Sequence, residues 1–148
     1  MKKQLVLVLF LASCEPNTNF GEMFVLIQKE LSVQITTHYC LIIPFEGCSG
    51  CKSRALKFME GNQSPKGITY ILSAKQKKAI QFMVSRDLLR TKNIVIDANN
   101  RAHALGLVGD FPTLIYLKEG RVVEFKTLSA TNISADLSHL EKRLKQTP

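Results

Sequence analysis

Two cysteines with two residues between them, Cys48 and Cys51, stand where an apolar run ends and a helical pattern begins. The run is Tyr39-Cys40-Leu41-Ile42-Ile43, closed by Pro44, and the pattern carries Ala55, Leu56, Phe58 and Met59. A strand apolar on both sides belongs inside a sheet covered above and below. The dithiol is therefore expected on a strand-to-helix turn, at the tip of the helix. The first N–H groups of a helix have no internal partner and point at whatever precedes them, so a thiolate at Cys48 is favoured there. Disulfide exchange needs that state of the sulfur.

Spacing supplies the other elements. Phe20, Met23, Phe24, Ile27 and Leu31 mark one face of a helix, with Thr18 or Asn19 as its cap, and Val33 to Ile43 reads as one long strand. The helix after the dithiol is expected to stop at Gly61-Asn62. Gly67 to Leu72 reads as a strand, with Ser73 capping a helix from Ala74 to about Val84. Asn93 to Asp97 is a further strand, followed by a turn or short helix through Leu105. Thr113 to Leu117 and Arg121 to Phe125 flank Lys118-Glu119-Gly120 as a hairpin. Ile133, Leu137, Leu140 and Leu144 mark a closing helix, capped by Thr131 or Asn132. Strands and helices that alternate, followed by a hairpin and a helix, predict an α/β domain: a mixed sheet of about five strands with helices on both faces.

The ends of the chain carry a different signal. Met1-Lys2-Lys3-Gln4 precedes the apolar run Leu5 to Ala12, which as a helix would rise only about 12 Å, too short to cross a bilayer. An export signal over residues 1–13 is expected. Leu11-Ala12-Ser13-Cys14 resembles a bacterial lipobox, and that resemblance implies cleavage before Cys14 and lipid on it; an ordinary secretory signal is the alternative. Residues 14–19, with Pro16, would then be a lipidated tether and residues 20–148 one domain, a size able to bury its own core. Loss of Lys2 and Lys3 lowers the net charge of +8 by two. The remaining cations are spread along the sequence without an aromatic-interleaved stripe, which argues for a solvated surface and against nucleic acid. Export places the cysteines where disulfides persist.

The strand, dithiol and helix order, the stretch Val108-Gly109-Asp110-Phe111-Pro112-Thr113-Leu114 ahead of the hairpin, and the closing helix together resemble the thioredoxin-like family over roughly residues 34–146. With the lipobox, the likeness is to membrane-tethered thiol:disulfide interchange lipoproteins of the bacterial envelope. The resemblance implies an oxidoreductase acting on protein disulfides, with Cys48 attacking and Cys51 resolving. It implies a cis peptide bond before Pro112, with Phe111 and Pro112 presenting backbone to an extended substrate. It implies an upstream redox partner, a lipid anchor facing the periplasm or the cell surface, and no bound cofactor, since electrons pass through the dithiol. Thioredoxins usually carry tryptophan before the first cysteine and an acid in the preceding strand. Here Gly47 occupies the first position and the strand has no carboxylate; Glu46 is the nearest and opposes a Cys48 thiolate, whereas Lys52 and Arg54 favour it.

Other readings of the same residues stay open. Cys48 and Cys51 fit an inert disulfide in a non-catalytic envelope lipoprotein that uses this scaffold as a binding module. They also fit half a zinc site, although His38, His103, His139 and Cys40 show no ligand spacing, and no metal is expected. Cys40 reads as a small core hydrophobe, and the histidines as surface or satisfied groups.

Overall fold

Five strands form one mixed sheet in the spatial order β3-β2-β1-β4-β5. The computed structural model describes residues 18–63 and 67–146, so the expected signal, Cys14 and all but the last two residues of the expected tether lie outside the described residues. Elements run α1 (Thr18–Glu30), β1 (Tyr39–Pro44), α2 (Ser49–Gly61), β2 (Ile68–Ser73), α3 (Lys77–Met83), α4 (Arg86–Leu89), β3 (Ile94–Asp97), α5 (Arg101–Ala104), β4 (Thr113–Lys118), β5 (Arg121–Thr127) and α6 (Ile133–Gln146). β1 pairs parallel with β2 and antiparallel with β4; β2 pairs parallel with β3, and β4 antiparallel with β5. This is the thioredoxin-like arrangement expected from the sequence.

The period-two rule of strands explains the two-sided core. Leu41 and Ile43 face one way, onto Ala55, Leu56 and Met59 of α2 and Ile133, Leu137 and Leu140 of α6. Cys40 and Ile42 face the other way, onto Phe24 and Ile27 of α1 and Ala102 of α5. Helices therefore cover both faces, and a strand central to such a sheet must be apolar throughout. Tyr70, at the centre of β2, is fully buried, and its hydroxyl donates to Asn62 O at 2.8 Å, beside the α2 C-cap.

Three expectations change in detail. The strand expected from Val33 begins only at Tyr39: β2 starts at Ile68, the partner of Tyr39, and toward β4 a single bond, Leu117 N–H to His38 O at 2.8 Å, continues beyond that register. Residues 33–36 instead pass beside α1, where Gln28 Oε1 accepts the Ile35 N–H at 2.8 Å. Ser73 caps no helix. It ends β2, fully buried, and donates to Asp97 Oδ2 at 2.7 Å, with Asn100 Oδ1 3.0 Å away. The helix expected from Ala74 to about Val84 starts three residues later, as α3, and a separate short helix, α4, follows it, capped by Ser85, whose Oγ accepts the Leu88 N–H.

Asp97 joins two of these layers. Its carboxylate is fully buried, accepts the N–H groups of Arg101 and Ala102 at 2.9 and 2.8 Å, and so caps α5 while holding the end of β2 through Ser73. A buried donor stripped of its acceptor costs about 1–3 kcal/mol, and two backbone donors depend on this one side chain. Asp97→Ala is expected to lower stability by about 3 kcal/mol. Urea unfolding checks it through the transition midpoint; a loss below about 1 kcal/mol would mean that water replaces the carboxylate without penalty.

Candidate functional site

β1 runs on past Pro44 with Phe45 N–H donating to Ser73 O at 2.8 Å, and the chain then turns at Gly47. Cys48 is the N-cap of α2, in an extended conformation (φ −64°, ψ 103°). Its Sγ accepts the Cys51 N–H at 3.3 Å, and its carbonyl accepts the Lys52 N–H at 3.0 Å. The helix tip thus offers the sulfur one of its otherwise orphan donors, an arrangement that favours a thiolate there. Cys48 and Cys51 are joined in a disulfide, with their Cα atoms 5.4 Å apart. The two cysteines differ in burial: Cys48 is half-buried, whereas Cys51 is 1 % exposed and packs among the α2 side of the core.

The segment before β4 closes onto this turn. Cys48 N–H donates to Asp110 O at 2.9 Å, and Gly47, at φ +87°, lies so close that a Cβ there would stand 2.5 Å from both Cα and O of Asp110. Phe111 is half-buried against the same core cluster as Cys48, and Pro112 is buried. The structure therefore brings together the four residues singled out from the sequence, Cys48, Cys51, Phe111 and Pro112, where the inner strand β1 ends and its neighbour β4 begins. The expected cis bond is corrected: no described peptide bond is cis, so Phe111–Pro112 is trans. Trans is the lower-energy isomer by about 0.5–1 kcal/mol for a bond before proline. In that isomer the loop already seats both its flanks, Asp110 O on Cys48 N–H and Pro112 O on Leu128 N–H at 2.7 Å. Between these two anchors the Phe111 N–H and C=O take no partner among the described residues.

Charged neighbours are held away from free rotation. Lys52 Nζ donates to Phe45 O at 2.8 Å and sits 5.7 Å over the Phe45 ring. Arg54 donates to Ser134 Oγ at 3.1 Å, tying α2 to α6. Glu46 Oε1 accepts the Lys75 N–H at 3.1 Å, while its Oε2 is excluded from water without a partner among the described residues. In the sequence Glu46 shows only as a charge near the dithiol. Its role as the strap between the dithiol turn and the β2–α3 loop depends on a contact 29 residues away, which no local signal announces.

Cys40 is placed on the opposite face of the sheet from the sulfur pair, fully buried, and burial pushes its thiol up. A central strand therefore separates it from Cys48 and Cys51. His38, His103 and His139 are all exposed. Among the described residues, no group of three or more His, Cys, Asp or Glu side chains converges so as to hold a metal ion.

The fold and the turn together define a thioredoxin-like α/β domain with a disulfide of CxxC spacing at a helix N-terminus. No protein-family model matches the chain, and no curated protein sequence matches it.

Proposed function

We propose that this protein is a thiol:disulfide oxidoreductase acting on protein disulfides. The observation that carries the reading is the asymmetry of the sulfur pair: Cys48 is reachable at the helix tip, and Cys51 is shielded behind it. In the reducing direction, Cys48 thiolate attacks one sulfur of a target disulfide. The target bond breaks, its other sulfur leaves as a thiolate and takes a proton, and a mixed disulfide remains. Cys51, having given up its proton, then attacks Cys48 Sγ, which releases the second target thiol and closes Cys48 to Cys51. Two electrons and two protons pass from the dithiol to the target; the reverse sequence oxidises a dithiol. A dithiol or disulfide donor must reset the pair, so an upstream redox partner belongs to this reading.

The free Phe111 backbone beside Cys48 supports capture of an extended segment by main-chain hydrogen bonds, with the Phe111 ring as an apolar contact. The lipobox-like Leu11-Ala12-Ser13-Cys14 supports placement as a lipid-anchored protein of the bacterial envelope, facing the periplasm or the cell surface, akin to the tethered thiol:disulfide interchange lipoproteins. Among the described residues no helix is long and apolar enough to cross a membrane.

Equilibration of the Cys48/Cys51 couple against glutathione or dithiothreitol tests the activity. An exchanging pair is expected above about −300 mV. A potential below that value would assign the bond to a structural staple on a binding module and end the enzymatic reading.

A further inference from the structure

Between β2 and β3 the chain carries Lys75, Lys77, Lys78, Arg86, Arg90 and Lys92 against a single acid, Asp87. All seven are exposed, and the one ion pair, Arg90 with Asp87 at 4.0 Å, joins side chains 80 % and 98 % exposed, so it neutralises little. Cations that look scattered along the sequence are gathered by the fold: Lys77 of α3, Arg86 of α4 and Arg90 at the α4 C-cap line one cleft, together with Gln81 and Leu89. Next to Gln81 in α3 stands Phe82, 93 % exposed, followed by Met83, 42 % exposed. Phe82 is one helical turn from Lys78, so an apolar tip and a cation share a face of α3. A phenyl ring offered almost wholly to water among five net positive charges has no core role to explain it, because Ile80 and Val84 already supply the buried side of this segment.

We infer that the α3–α4 segment docks on an anionic lipid surface, with Phe82 and Met83 entering the headgroup boundary and the surrounding lysines and arginines meeting the lipid phosphates. Charge complementarity and a protruding apolar wedge are the two elements that interfacial binding needs. A single-stranded nucleic acid would call for several aromatic platforms along a groove, and Phe82 is the only aromatic residue from Lys75 to Lys92. Because Glu46 bonds the Lys75 N–H, this surface is tied directly to the dithiol turn, and docking would hold the sulfur pair close to the bilayer. The inference is independent of the redox reading.

The chain has no tryptophan, so Phe82→Trp in the full chain places one indole at the proposed wedge. Vesicles of phosphatidylcholine containing a third phosphatidylglycerol are expected to shift its emission to the blue and to bring it within reach of brominated-lipid quenchers. The indole reports position 82 alone, so attachment through the N-terminal apolar run leaves it unchanged. Adding Lys77→Gln, Lys78→Gln and Arg86→Gln is expected to weaken the vesicle affinity read by the indole about 100-fold. Emission that stays water-like at saturating vesicles overturns the inference. So does an equal shift with phosphatidylcholine alone, an affinity unmoved by the three glutamines, or a shift produced by oligonucleotide or polyglutamate and not by vesicles.

Discussion

Cys48→Ser is expected to lower reduction of a model protein disulfide to the uncatalysed rate, while Cys51→Ser accumulates covalent mixed disulfides with the same substrate. The two variants remove the same cross-link. Loop-closure arguments for so short a ring give each about 2 kcal/mol of lost stability, so destabilisation alone cannot make them differ in kind. Cys51→Ser bears an added cost, since it sets a hydroxyl in a site that is 1 % exposed. The less stable variant is thus the one expected to capture substrate, which folding effects would not produce. The distinction follows from access: a polypeptide disulfide can approach Cys48 at the tip of α2, and Cys51 can reach only the sulfur bonded to Cys48. Non-reducing electrophoresis after incubation with substrate, beside a turnover assay, reads both outcomes. Exchange by Cys48→Ser at the parent rate, or equal trapping by both variants, would place the chemistry elsewhere.

The sheet is legible in the sequence because the signals of its elements are local. Tyr39 to Pro44 must be apolar on both sides, the 3.6-residue period of α6 spans four turns, and the β4–β5 hairpin turns at Glu119-Gly120, inside the Lys118-Glu119-Gly120 stretch that signals it. Four-residue helices such as α4 are too short to show a period, so nothing in the sequence marks Ser85 as a cap. Ser73 has the chemistry of a helix cap, and only the arrival of Asp97 from 24 residues away decides that its hydroxyl turns into the sheet. The isomer at Pro112 is not legible in the sequence for a related reason. A sequence motif carries the family's habit, whereas the bond here is set by how Asp110 and Pro112 are held on either side of it. The cysteines were legible because spacing and the strand-to-helix junction are both local. Their unequal burial was not, since it depends on the α2 side of the core closing over Cys51.

Gly47 joins these two kinds of information, and Gly47→Ala is expected to have the largest effect of any conservative change near the site that leaves both sulfurs in place. Where a tryptophan would precede the first cysteine in a thioredoxin, this chain needs the absence of a side chain. At φ +87° an L-residue is strained by about 1–2 kcal/mol. A Cβ at 2.5 Å from Asp110 Cα and O also meets backbone, which cannot swing aside as a side chain would. The loop must move, and the 2.9 Å bond from Cys48 N–H to Asp110 O is lost with it, worth about 1 kcal/mol. Together these predict a stability loss of about 3 kcal/mol, read from the urea midpoint at unchanged slope. Because the displaced segment carries Phe111 and Pro112, exchange with a protein disulfide should slow well beyond exchange with a small aromatic disulfide, which needs only Cys48. A variant that unfolds like the parent and keeps the parent ratio of the two rates would show that the Asp110–Pro112 loop neither braces the helix tip nor receives the substrate.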